Sequence, residues 1–134
     1  MFFRKKIEGK TKKEWFNNGV TLYKTGRFDE AIKCFDKALK IDPNSATAWN
    51  GKGFALRELG RFDEAIKCFD KALEIQPNYA SAWYYKGGVL SELGRFEEAI
   101  RCFDKALEID PDLEQAKIDK KAIEEQLKKK SDHN

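Results

Sequence analysis

Histidine is almost missing: the chain has one, His133, beside the C-terminal Asn134. A chemistry that needs imidazole as its base, or several imidazoles around a metal, has almost nothing to work with. No stretch reaches the roughly 18 successive apolar residues of a membrane span. Met1-Phe2-Phe3-Arg4-Lys5-Lys6 has no apolar run behind it of the kind a secretory signal carries. The expected location is therefore the cytoplasm, with no stable membrane insertion. Cysteine is limited to three residues, an odd number that fits reduced thiols better than a disulfide framework. Glycine-rich phosphate loops are lacking too, since Gly51-Lys52-Gly53 and Gly87-Gly88 lie inside helical patterns and not between a strand and a helix. Neither a catalytic constellation nor a cofactor or metal site is expected.

What remains is 134 residues, 41% hydrophobic, 13% aromatic and 37% charged, enough apolar surface for one packed domain or a short repeat array. Self-similarity dominates it. Gly-Arg-Phe-Asp-Glu-Ala-Ile-Lys-Cys-Phe-Asp-Lys-Ala-Leu begins at Gly26 and again at Gly60, with a close copy at Gly94, a step of 34 residues each time. Trp15, Trp49 and Trp83 keep that step, as do Gly19, Gly53 and Gly87, and Pro43, Pro77 and Pro111.

Each period reads as two helices. Phe28, Ala31, Ile32, Phe35, Ala38 and Leu39 recur at helical spacing and define the second. Trp15, Gly19 and Leu22 define the first, which Gly26 can end in the left-handed conformation. Thr11 and Glu14 fit a capping box, and Asp42-Pro43 stops the second helix. Strands have no room. Gly19, Ala31 and Ala38 mark places where helices approach closely, and Trp15 and Phe35 can fill the space between units, so stacking completes the core.

Other repeated features point away from chemistry. Asp29-Glu30, Asp63-Glu64 and Glu97-Glu98 sit in the first turn of each second helix, where acids complement the dipole. Cys34, Cys68 and Cys102 would stand about a helix diameter of ~10 Å apart, too far to bridge or to share one zinc. The net charge of +3 belongs mostly to the first 14 residues, and the cations do not run with the aromatics along the chain, so no nucleic-acid groove is expected.

The succession Trp, Gly, Leu, Gly, Ala, Phe, Ala, Pro at these spacings resembles the tetratricopeptide repeat (TPR) over about residues 12–113. The resemblance implies an all-α, right-handed superhelical α-solenoid. TPR 1 would cover residues 12–45, TPR 2 residues 46–79 and TPR 3 residues 80–113. A C-terminal capping helix and tail would follow over 114–134, with Asp112 and Gln115 at capping spacing and Leu113, Ala116, Ile123 and Leu127 as its apolar stripe. One departure is that Asn18, Lys52 and Lys86 stand where the family commonly has Leu, which calls for a snorkelling stem. The basic aromatic segment 1–11 is read as frayed or as continuing the first helix upstream. The other readings are a weak membrane-surface anchor or a tail, carrying Phe2 and Phe3, that docks on a protein.

In TPRs the first helices line the concave side. Their residues off the packing stripe are the expected peptide-binding groove: Lys13, Phe16, Asn17, Val20 and Tyr23; Asn50, Phe54 and Arg57; Ser81, Tyr84, Tyr85 and Gly88. These positions differ between repeats, whereas the second helices are near copies. TPRs that grip chaperone tails clamp the terminal carboxylates with Lys, Asn and Arg. The matching positions here are Phe16, Val20, Gly51, Ser81 and Tyr85, with aromatic rings and the open Gly51 and Gly88 in place of a clamp. The expected function is a non-enzymatic scaffold binding a peptide segment or helix of another protein. Self-association, by repeat stacking or by docking of the N-terminal tail, is the alternative.

Overall fold

A computed structural model describes residues 5–133; the expectations for Met1, Phe2, Phe3 and Arg4 lie outside them. Seven helices account for most of the described chain, which is an all-α helical repeat. It divides into two compact units, one through Gln76 and one from Pro77.

The first unit holds two helix pairs: α1 (Lys12–Lys24) with α2 (Phe28–Ile41), and α3 (Ala46–Glu58) with α4 (Phe62–Ile75). The second holds α5 (Ala80–Glu92), α6 (Phe96–Ile109) and α7 (Glu114–Asp132). Thr11 opens α1 with a full capping box: its hydroxyl accepts from the Glu14 amide at 3.3 Å and its own amide donates to Glu14 Oε1 at 3.2 Å. The Thr11 amide and hydroxyl, both donating to Glu14 Oε1, hold the Glu14 carboxyl below its ordinary range. α1, α3 and α5 each run out into a left-handed glycine, Gly26, Gly60 and Gly94, at φ 79°, 74° and 75°. The following amide returns to the helix, Arg27 N to Leu22 O at 2.9 Å and likewise in the other two, so terminal carbonyls are satisfied.

Each arginine after that glycine grips the helix it precedes. Arg61 donates to both carboxylate oxygens of Glu64, at 2.9 and 2.7 Å, and Arg27–Glu30 and Arg95–Glu98 repeat the fork. The acidic pairs thus serve helix starts, and the bond from Arg61 holds Glu64 below its usual value.

The core of each pair is one phenylalanine against one glycine. Phe35, Phe69 and Phe103 are fully buried, and a Cβ on Gly19, Gly53 or Gly87 would come within 2.7 Å of the matching ring. All three cysteines are free and buried.

Residues 5–11 overturn two expectations. Lys6–Ile7 (β1) and Lys10–Thr11 (β2) pair antiparallel, Lys6 opposite Thr11, through a turn in which Glu8 and Gly9 have φ of 50° and 78°. Two successive positive values make the tight hairpin turn that matches strand twist. So a strand pair exists, and α1 does not continue upstream: the Thr11 box stops it. The hairpin also has a task. Ile7 O accepts the Trp15 indole N–H at 2.9 Å, Glu8 pairs with Lys37 at 2.8 Å, and Lys10 and Lys37 lie 4.6 and 4.4 Å from the Trp15 ring. Trp49 and Trp83 give the same proton to Pro43 O and Pro77 O at the end of the preceding repeat. The hairpin gives Trp15 the acceptor that the end of the preceding repeat gives Trp49 and Trp83.

At the other end, Asp112 and Gln115 do not cap α7. Asp110 Oδ1 accepts the Asp112 amide at 3.1 Å in an Asx turn, which makes Leu113 the residue before the helix. Gln115 instead donates to Asp119 Oδ1 at 2.9 Å. α7 keeps the repeat's register. Ala116 is buried like Ala82 and Ala48, 34 and 68 residues earlier, and Ile123 like Val89 and Ala55, while Leu127 is half-buried. Lys117 and Lys121 replace the Trp and Gly of a true first helix, so its far side is polar. Among the described residues no helix is long and apolar enough to cross a membrane.

Candidate interaction face on the first helices

The expected face is built from side chains one turn apart on α1, α3 and α5, and most of them are packed as well as accessible. In the first unit, Phe16 is half-buried with its ring 5.7 Å from Phe35. Tyr23 lies 5.4 Å edge-on to Phe28 and 6.2 Å from Phe54, and its hydroxyl reaches Glu58 at 3.5 Å. Phe54 rests 5.9 Å from the buried Phe69, with the Arg57 guanidinium 5.9 Å from its own ring and 2.7 Å from Glu58. Lys13 and Asn17 are exposed and Val20 half-exposed. Two positions differ from expectation. Asn50 is enclosed at 3% exposure, and Gly51 is not open: a Cβ there would meet the Phe35 ring at 2.9 Å. Both serve packing, because Phe35 is wedged against Gly19 on one helix and Gly51 on the next.

In the second unit, Tyr84 stacks 5.6 Å from Phe103 and 5.0 Å edge-on to Tyr85, and donates its hydroxyl proton to Asp119 of α7 at 2.6 Å. Ser81 and Tyr85 are half-exposed. Gly88 is open, with no atom within 4 Å of a Cβ placed on it. It borders a cleft of about 270 Å³ to which α5 contributes Gly88, Ser91 and Glu92, α6 Phe103, and α7 Asp119, Ala122 and Ile123.

One ring per pair therefore sits on the buried phenylalanine, and it comes from either of two positions a turn apart: Phe16 and Tyr84 from one, Phe54 from the other. Where the ring comes from the first, the second is small, Val20 or Gly88. The face is thus aromatic with relief, and its relief differs from repeat to repeat.

In each unit a lysine also lies near a repeated tryptophan. Lys52 lies 5.8 Å from the Trp49 ring and Lys86 5.7 Å from that of Trp83, one helical turn along. Lys52 also pairs with Asp36 at 2.7 Å, and Lys120 with Asp104 at 2.6 Å. The Lys52 side chain is mostly covered while its amine reaches a carboxylate, as a snorkelling stem does.

Comparison with known proteins agrees with this geometry. Sequence profiles described as tetratricopeptide repeat match residues 13–45 and 44–112. The chain belongs to the tetratricopeptide-repeat family. No curated protein matches this TPR chain. Among solved structures, it is similar to the first TPR of Spaghetti (RPAP3) bound to the HSP90 peptide SRMEEVD, at 25% identity and TM-score 0.84 over 87% of this chain and 92% of that one. It is also similar to the Arabidopsis OM64 TPR domain, at 27% identity and TM-score 0.81 over 84% and 93%. The fold is further shared with the first TPR domain of human RPAP3, at 24% identity and TM-score 0.86 over 92% and 97%.

Three features of the site lay beyond the sequence reading: the hairpin, the Tyr84–Asp119 bond and the cleft beside Gly88. Glu8-Gly9 was the only signal for the first. The other two follow once α7 is aligned to the 34-residue register, which sets Asp119 and Ala122 at the places of Tyr85 and Gly88.

Proposed function

We propose that this TPR chain is a non-catalytic scaffold that holds a peptide segment or helix of another protein against its first helices. The binding surface would be the concave groove of a right-handed superhelix that the family resemblance implies. The observation that carries the reading is the set of half-exposed rings, Phe16, Phe54, Tyr84 and Tyr85. Three of them are already fixed on buried phenylalanines, so little entropy is lost when a ligand covers them. A similar TPR structure, at 25% identity, has a peptide bound, which supports peptide capture as the mode.

The chemistry of the captured segment differs from a carboxylate grip. Phe16, Val20, Gly51, Ser81 and Tyr85 occupy the clamp positions, and none carries a cation. A free C-terminal carboxylate would lose its hydration there without gaining a charged donor. Recognition would rest on apolar and aromatic burial along the helices.

A displayed peptide library selected on the immobilised full chain tests this. Tyr85→Ala is the better probe, because Phe54→Ala would also strip the packing on Phe69 and Tyr23. Selected peptides should bind Tyr85→Ala about tenfold or more weakly and bind Lys67→Ala, on a second helix, as they bind wild type. Equal binding to all three proteins would place the ligand elsewhere and sink the reading.

A further inference from the structure

The geometry points to the cleft beside Gly88 as the seat of a single aromatic side chain from a partner protein, with a lysine or arginine next to it in the same segment. This rests on peptide capture by the first helices and names the ligand chemistry at one place on them.

Two junctions of the fold are equivalent and differ in what fills them. Among α1, α2 and α3, which pack around Phe35, the corresponding positions carry Val20, Tyr23 and Phe54, and the last two rings lie 6.2 Å apart. Where α5, α6 and α7 meet around Phe103, the residues 68 positions later are Gly88, Ser91 and Ala122. Three bulky groups are gone and none replaces them. The fully buried Phe103 is still in place and lines the cleft of about 270 Å³. A cavity of about 150 Å³ is enough to take up benzene. The missing volume therefore suits a ring delivered from outside, and Phe54 shows how a ring seats in this fold.

Charge selects what should accompany the ring. The same shift along the sequence turns Lys24 into Glu92 and Gly51 into Asp119, so the rim changes from basic to acidic. Asp119 is aimed by two neutral donors, Tyr84 Oη at 2.6 Å and Gln115 Nε2 at 2.9 Å, one to each carboxylate oxygen. Glu92 and Asp119 take part in no ion pair among the described residues. An apolar recess bordered by two such carboxylates complements an aromatic residue beside a cation, and repels an acidic segment.

The test uses two blocked synthetic peptides that differ only in sign, Gly-Ser-Phe-Arg-Lys-Ser-Gly and Gly-Ser-Phe-Glu-Asp-Ser-Gly, titrated into the isotope-labelled full chain. The basic peptide should move the Gly88 and Ala122 amides saturably and bind at least about tenfold more tightly than the acidic one. Gly88→Val and Ala122→Phe restore the residues of the filled junction, so each should keep the helical circular dichroism and weaken the basic peptide about tenfold or more. Undiminished binding to both variants, or preference for the acidic peptide, overturns the inference. Shifts confined to Phe16 and Tyr85 would overturn it while leaving peptide capture standing. Shifts on no first helix with either peptide would count against both. A chain that dimerises through its own Phe2-Phe3-Arg4 segment, and loses this in Phe3→Ala, makes the occupant a second copy and overturns the assignment to a partner protein.

Discussion

Glycine is the residue on which this fold turns, and the same residue type does opposite things at two positions. Gly53 lies against Phe69 so closely that a Cβ would come to 2.7 Å of the ring, whereas a Cβ on Gly88 would meet nothing within 4 Å. Helix propensity alone favours alanine over glycine by up to about 1 kcal/mol at either site. Gly88→Ala should therefore stabilise the chain by about that amount, and Gly53→Ala should destabilise it by about 1–3 kcal/mol through overpacking of the ring. Urea unfolding of the two variants measures both, and equal signs would contradict the packing described. The buried thiols give a second prediction. Burial pushes Cys68 from 9.0 up to about 11, so the unfolded chain gives up its proton before the native one does. Stability should hold below pH 9 and fall as pH rises from about 9 to about 11. Cys68→Ala should shrink that fall, as thermal unfolding across the range will show. At this scale the sequence made Gly19, Phe35 and their copies legible because they recur with the period. Asn50 and Gly51 were not, since each occurs in one repeat only and its burial depends on a neighbouring helix.

The elements were the most legible level, because each helix carries its own start and stop. Thr11 and Glu14 cap α1, Gly26 ends it, and Pro43 follows α2, each within a few residues of the helix end it marks. The C-terminal helix was legible from its apolar stripe, whereas the hairpin and the start of α7 escaped, because neither has a second copy in the period to confirm it. The hairpin depends on a two-residue turn and on a tryptophan eight residues away. The start of α7 depends on Asp110 closing a turn on Asp112, which competes with the capping spacing of Asp112 and Gln115. Each terminal element covers a face that a further repeat would otherwise cover. Deleting residues 114–134 should uncover Phe103 and Ala106, lowering solubility or driving dimerisation. Analytical ultracentrifugation that finds the truncated chain monomeric and equally soluble would refute that role for α7.

For the molecule as a whole, the sequence carried the repeat and the family. Divergence among the first helices singled out Phe16, Phe54, Tyr84 and Tyr85, yet which of them pack inward follows only from the alternation of ring and gap on successive repeats. A scaffold of this kind makes one direct claim, that its ligand lies along the first helices. Hydrogen exchange of the full chain, with and without a peptide selected on it, tests that claim most directly. Protection should rise in α1, α3 and α5, around Phe16, Phe54 and Tyr85, and stay unchanged in α2, α4 and α6. Protection gained instead in the second helices, or beside Trp49 and Trp83 with their lysines, would contradict it.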